Sequence, residues 1–311
     1  MADHLVTGGA GFIGANLVAA LVRRGESVRV LDNFTTGRRE NLAPVRDAID
    51  LVEGDLRDPA AVARAVAGVR TIFHLAALAS VPGSIEDPLS THAVNATGTL
   101  NLLLAAADAG VERFVFSSSC AVYGDSPELP KTESMLPAPT SPYAASKLAG
   151  ERYCETFKRA FDLETVCLRY FNVFGPRQDP HSQYAAVIPN FITAMLRGEP
   201  ATIYGDGLQS RDFVYVANVV EANLLAARAQ GAAGRTFNIA AGQRTTILDL
   251  VAALNDVLGT GLAPVHAPPR AGDIRHSGAD ISAARQVLGY RPQVGFREGL
   301  RRTVPWYRRR G

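Results

Sequence analysis

Apolar positions recur with two different periods over the first 175 residues, and the two alternate. Short apolar runs at residues 4–7, 27–31, 49–53, 70–74, 114–119 and 165–170 have the length of strands. Residues 15–24, 59–67, 88–109 and 143–158 space their apolar positions as helices do. Strands separated by helices form parallel βαβ units, so the pattern predicts an α/β chain built on a doubly wound parallel sheet. After Gly175 the rhythm breaks: residues 176–181 read as a loop, followed by a helix near 188–197. The expected division is a nucleotide-binding domain at 1–175 and a smaller α/β substrate domain at 176–311, with some segments of the second returning to the first.

The first strand runs straight into Thr7-Gly8-Gly9-Ala10-Gly11-Phe12-Ile13-Gly14. Strand, glycine turn and helix make a Rossmann-like opening, in which glycines permit close approach of a pyrophosphate and helix-end N–H groups face it. Gly8, Gly11, Phe12, Ile13 and Gly14 are therefore candidate cofactor contacts. The next strand ends at Asp32-Asn33, where a carboxylate bonds ribose hydroxyls and repels a 2′-phosphate. That favours NAD over NADP, with Arg38 and Arg39 leaving a mixed preference open. Asp55 and Leu56 close the third strand, on the adenine side. Leu75, Ala76 and Ala77 close the fourth, small enough at Ala76 and Ala77 for backbone to meet a cofactor.

Composition narrows the class. A chain of 311 residues, 47% hydrophobic, can bury a large core, and no apolar run approaches the roughly 18 residues of a membrane span. The reading is a cytoplasmic enzyme without a signal segment. Three cysteines, Cys120, Cys154 and Cys167, lack paired spacing, so neither a disulfide framework nor a metal site is expected. A formal charge of +2 gives no electrostatic case for nucleic acid.

Candidate chemistry centres on Tyr143-Ala144-Ala145-Ser146-Lys147, which sets a phenol and an ammonium one helical turn apart. A nearby cation favours the phenolate, so the spacing predicts a tyrosine base near neutrality. Isolated, the motif is usually a surface pair. Here the strand ending in Ser117-Ser118-Ser119 lies upstream and puts a hydroxyl at a strand's carboxyl end, where ligands of open α/β sheets bind.

Together the segments GGAGFIG at 8–14, DN at 32–33, GDL at 54–56, HLAA at 74–77, SSSCAVYG at 117–124 and YAASK at 143–147 resemble the extended short-chain dehydrogenase/reductase superfamily. Residues 169–175, 185–189, 205–207, 210–213 and 270–273 extend the resemblance over the whole chain, toward UDP-glucose and UDP-N-acetylglucosamine 4-epimerases. The resemblance implies roles for particular residues. Ser119 would bond the sugar 4-hydroxyl, Tyr143 would be the acid/base, and Lys147 would hold the nicotinamide ribose and lower the tyrosine pKa. Asn95 matches a nicotinamide-side asparagine, although an Asn there equally bonds locally. Ser117 and Tyr170 complete the cofactor set. Asn172, Arg211 and Arg270 would meet the diphosphate, with Ala186, Val187, Thr202 and Tyr204 around the uridine. Ser84, Asp273 and Ser277 would line the sugar pocket, Ser277 leaving room for an N-acetyl group. The related family also implies a homodimer through a four-helix bundle.

The resemblance also indicates which reaction. Nucleotide-sugar 4,6-dehydratases carry an Asp-Glu pair after the active-site hydroxyl residue, and UDP-glucuronate decarboxylases carry a Glu at the second position. Here those positions are Cys120 and Ala121, which cannot supply that acid/base work. The expected activity is a 4-epimerase (an isomerase) of UDP-hexoses, through a transient 4-keto sugar with tightly bound, regenerated NAD. The alternatives are an epimerase or reductase of another UDP- or dTDP-sugar, or a catalytically silent NAD-binding scaffold.

Overall fold

The computed structural model describes residues 2–180, 186–269 and 274–309. Its centre is a seven-stranded parallel sheet of β1 (His4–Thr7), β2 (Val28–Asp32), β3 (Ile49–Glu53), β4 (Thr71–His74), β5 (Arg113–Ser119), β6 (Glu164–Tyr170) and a late strand, β11 (Arg235–Ile239). The spatial order is β11-β6-β5-β4-β1-β2-β3, so the direction of winding reverses between β1 and β4. In such sheets the crevice at that reversal is where ligands lie.

Strand residues alternate between two cores. Leu5, Leu31, Ile72, Phe114 and Phe116 pack with α3 (Pro59–Val66), α6 (Gly98–Asp108) and α7 (Pro142–Ala160). Val6, Val30, Phe73, Val115 and Val166 pack with α1 (Phe12–Arg23) and α9 (Val216–Arg228) on the opposite face. Short helices α2 (Arg39–Leu42), α4 (Val81–Glu86) and α5 (Pro88–His92) fill the connections. The helix expected over 88–109 is interrupted: α5 and α6 are joined by a π-helical turn at Ala93–Thr97, the kind of bulge that turns a side chain inward. The inward residue is Asn95, 2% exposed.

A third core lies beyond Gly175, where α8 (Val187–Leu196), α10 (Ile247–Leu258) and α11 (Phe296–Arg308) enclose Phe213, Tyr215 and Leu250. Three small two-stranded sheets edge it: β7 (Val173–Phe174) with β10 (Val214–Tyr215), β9 (Ser210–Arg211) with β12 (Thr245–Thr246), and β8 (Thr202–Tyr204) with β13 (Val265–Ala267). Thr202 and Tyr204 point outward from β8 while Ile203 is buried, as strand alternation requires.

Candidate active site

The glycine turn is built for close approach. Gly8 has a φ of 67°, and a Cβ there would sit 2.7 Å from the backbone of Ala76 at the end of β4. A Cβ on Gly14 would lie 2.1 Å from the Gly8 carbonyl oxygen. Helix α1 then begins at Gly11 with no side-chain cap and no acidic residue in its first turn, which leaves first-turn N–H groups for an anion. Phe12 and Ile13 anchor that turn against the third core. These features fit a bound dinucleotide pyrophosphate.

Around the turn, Asp32 accepts from the Ala10 amide at 2.9 Å and from the Phe34 amide at 2.8 Å. Burial pushes its pKa up, against the pull of those two amides. Asn33 donates to Asp55 at 2.8 Å. Asp55 also receives Arg57 at 2.9 and 2.8 Å, which holds its carboxyl well below the usual range. Leu56 is buried and fills the space left by Gly98. The Leu75 amide donates to Thr7 O at 3.2 Å and the Ala76 amide to Thr7 Oγ1 at 3.3 Å, with Ala77 next in line. Arg38 and Arg39 are engaged elsewhere, Arg38 with Asp179 and Arg39 with Glu53.

Helix α7 carries Tyr143 and Lys147 against the end of β5. Gly150 permits this contact, since a Cβ there would fall 2.3 Å from the Phe116 ring. The Ser119 hydroxyl stands close enough to Tyr143 to favour its charged form. The Tyr143 amide donates to Ser84 Oγ at 3.1 Å, and Ser84 donates on to Val81 O at 2.6 Å. Lys147 Nζ donates to the Ser117 carbonyl at 2.8 Å. Tyr170 donates to Asn223 at 3.0 Å behind the same strand ends. Asn95 spends its amide locally: it accepts from Leu78 N at 2.8 Å and donates to Leu78 O at 3.0 Å and to Ser146 Oγ at 3.1 Å. In the chain alone it is a clamp between the β4 loop and α7.

One expectation is reversed. The lysine was expected to lower the tyrosine pKa, yet burial pushes Tyr143 up to about 12, with only Ser119 pulling it down. Burial also lowers Lys147 to about 8. Desolvation disfavours both charged forms, and the ammonium is turned to Ser117 rather than to the phenol.

A cavity of about 710 Å3, within the range of small-molecule sites, is lined by Ser141, which caps α7 two residues ahead of Tyr143. Asn172, Ala186, Val187, Thr202, Tyr204 and Arg211 all line it, which brings six predicted substrate positions into one space. Ser277 lies beside it, its amide bonded to Ser210 O at 2.9 Å. Arg270 and Asp273 fall outside the described residues. Two lining residues carry no sequence signal: Gln178, in what read as a plain loop, and Gln209. Gln178 Oε1, Gln209 Oε1 and Asn172 Nδ2 are buried without a hydrogen-bond partner among the described residues. Such groups are costly unless a ligand or water bonds them. Beside Ser119, the Cys120 thiol is pushed up to about 11 by burial and stays neutral at pH 7.

Comparison with known proteins agrees with this architecture. The sequence profile of the NAD dependent epimerase/dehydratase family matches residues 4–240. The chain is 42% identical to the UDP-glucose 4-epimerase of Mycolicibacterium smegmatis over 98% of both chains. Its structure is similar to the UDP-N-acetylglucosamine 4-epimerase of Methanobrevibacter ruminantium, solved with UDP-N-acetylmuramic acid (TM-score 0.95, 43% identity, 100% of both chains). It is also similar to the Thermus thermophilus UDP-glucose 4-epimerase solved with NAD (TM-score 0.88, 42% identity, 98% of both chains).

Proposed function

The chain belongs to the NAD dependent epimerase/dehydratase family, and we propose that within it the protein is a 4-epimerase of UDP-hexoses, exchanging UDP-glucose with UDP-galactose and UDP-GlcNAc with UDP-GalNAc. The observation that supports this reading is a nucleotide-sugar-sized cavity lined by Thr140 and Ser141, the residues that lead into the turn of α7 carrying Tyr143, together with Cys120 and Ala121 in place of a carboxylate after Ser119. Dehydration or decarboxylation needs a carboxylate next to Ser119; Cys120, neutral, and Ala121 offer none. Epimerisation at C4 needs only one group that takes and returns a proton.

Residues that would hold NAD are Gly8, Gly11, Phe12, Ile13 and Gly14 at the pyrophosphate, Asp32 and Asn33 at the adenosine ribose, and Asp55 and Leu56 at the adenine. Leu75, Ala76, Ala77, Asn95, Ser117 and Tyr170 would form the wall toward the nicotinamide. When bound, NAD supplies a reversible two-electron acceptor for the sugar's C4–H. Tyr143 accepts the 4-hydroxyl proton and later returns it, while Ser119 orients that hydroxyl by hydrogen bonding. Lys147, charged at pH 7, supplies a donor for a ribose hydroxyl. Arg211 and Asn172 hold the diphosphate, with Arg270 assigned to the same group from sequence. Ala186, Val187, Thr202 and Tyr204 enclose the uridine. Ser84, Asp273 and Ser277 bound the sugar, which turns over between the two proton transfers.

The test is to incubate the protein separately with the four UDP-sugars, adding no NAD, and to follow C4 configuration by NMR. Interconversion at constant total sugar is the expected result. No change in any of the four, even after NAD is supplied, would overturn the reading. We further read the outer faces of α5–α6 and α7, where Leu104 is exposed, as a homodimer seam. A sedimentation series showing monomer at every concentration would refute it.

A further inference from the structure

Directly after β7, residues 175–180 run across the molecule rather than hanging from it. On one side, Asn16 of α1 donates to the Pro176 carbonyl at 3.0 Å and accepts from Arg177 at 2.8 Å. On the other, Arg38 pairs with Asp179 at 2.7 Å. A third tie is Tyr307 of α11, whose hydroxyl donates to the Gln178 carbonyl at 2.6 Å. The first two anchor points bracket the glycine turn. Asn16 stands one turn into α1, and the Arg38 amide donates to the Ala10 carbonyl at 3.0 Å. A segment fastened at both points lies beside the first turns of α1 and next to the glycine turn. The backbone supports a purpose for this path. Arg177 holds a φ of 73°, a conformation that costs a non-glycine residue free energy and persists only where its surroundings impose it.

We propose that residues 175–180 form a strap that retains NAD by closing over the pyrophosphate, with Asn16, Arg38 and Asp179 as its clasps. A reaction that regenerates its cofactor within each cycle gains nothing from release, and a strap fixed to the nucleotide half on both sides of the glycine turn slows it. The same segment presents Gln178 to the sugar cavity. Retention requires only that NAD binds, so the strap stands whichever sugar is turned over.

The test measures release of NAD from the purified, loaded protein, trapping freed cofactor with excess alcohol dehydrogenase and ethanol and following NADH absorbance. Thermal midpoints are recorded in parallel. Asp179→Asn breaks the partly exposed pair with Arg38 and should speed release about two- to fivefold. Adding Asn16→Ala should multiply the effect, to about tenfold or more. Asp256→Asn, which breaks an exposed pair with Arg297 at the other end of α11 from Tyr307, should leave release unchanged. Were Arg38 simply a phosphate ligand, Asp179→Asn would free it and slow release. Slower release in that variant, or release within twofold of wild type in the double variant, overturns the proposal. If the double variant melts early, Asp179→Asn decides, and the charge swap Arg38→Asp/Asp179→Arg should restore wild-type retention.

Discussion

Replacing Glu151 by Gln should destabilise the protein more than any surface change, and for a calculable reason. Glu151 and Arg169 form a two-pronged ion pair at 2.9 and 2.7 Å, and their side chains are only 5% and 4% exposed. Ser118 donates to the same carboxylate, and the Arg169 guanidinium lies 4.7 Å from the Tyr123 ring centre. Burial works against the arginine's charge, yet the Glu151 bonds outweigh it and hold its pKa above the ordinary value. Neutralising Glu151 strands that cation, which costs about 3–5 kcal/mol against a total stability of about 5–15 kcal/mol. At about 2 °C per kcal/mol for a chain of this size, the melting midpoint should fall by about 6–10 °C. Replacing both partners in Glu151→Leu/Arg169→Met should recover most of the loss, because an apolar replacement of a buried pair is near neutral. Ser118 sits between Ser117, which holds Lys147, and Ser119, which pulls down the Tyr143 pKa, so kcat should fall in the single variant while KM changes little. Calorimetry and steady-state kinetics on the three proteins decide the matter. A midpoint within 2 °C of wild type for Glu151→Gln, or a double variant weaker than the single, would refute the reasoning.

Gly14→Ala puts a methyl 2.1 Å from the Gly8 carbonyl, backbone against backbone, so the turn must open. Isothermal titration should show NAD affinity lost, with about 1–3 kcal/mol of stability; wild-type affinity would contradict the cradle. His74 is buried between Thr7 at 2.7 Å and Thr99 at 2.8 Å, and burial holds its pKa at about 3. Because the unfolded chain binds a proton that the folded one refuses, stability is full above about pH 6.5 and falls with pH toward 3. At pH 5 the loss is about 2 kcal/mol. Urea unfolding of His74→Gln should be less pH-dependent by that amount, and an unchanged slope would dismiss the assignment. Ser277→Tyr should depress turnover of UDP-GlcNAc well below that of UDP-glucose; equal losses on both substrates would remove Ser277 as the gate.

The nucleotide half was legible because its strands and helices are long enough to show their periods, and the boundaries predicted for β1, β3 and α3 lie within a residue of those observed. The half beyond Gly175 was not. Strands of two or three residues such as β9 and β12 carry no period, and β11 reaches the main sheet beside β6 only through tertiary pairing. The same limit applies to single residues. Asn95 was found by motif, but its local bonding depends on a π-turn that no sequence pattern announces. Gln178 and Gln209 line the cavity because of where the chain turns, and their neighbours in sequence give no hint of it.

The reversed tyrosine–lysine expectation shows what spacing alone leaves out. One helical turn fixes separation, but the sign of a pKa shift depends on solvent, and both groups are buried. Burial moves Tyr143 and Lys147 toward their neutral forms, so at pH 7 the pair rests as phenol and ammonium rather than as phenolate and ammonium. The pair is therefore set by what binds beside it. A positive charge brought against the phenol lowers its pKa, whereas a neutral ligand that expels water raises it further. Difference absorbance of the tyrosinate across pH, with and without NAD, should move the transition to lower pH on loading in wild type and show no such transition in Tyr143→Phe. A transition that loading leaves in place would mean that Tyr143 acts only as an acid.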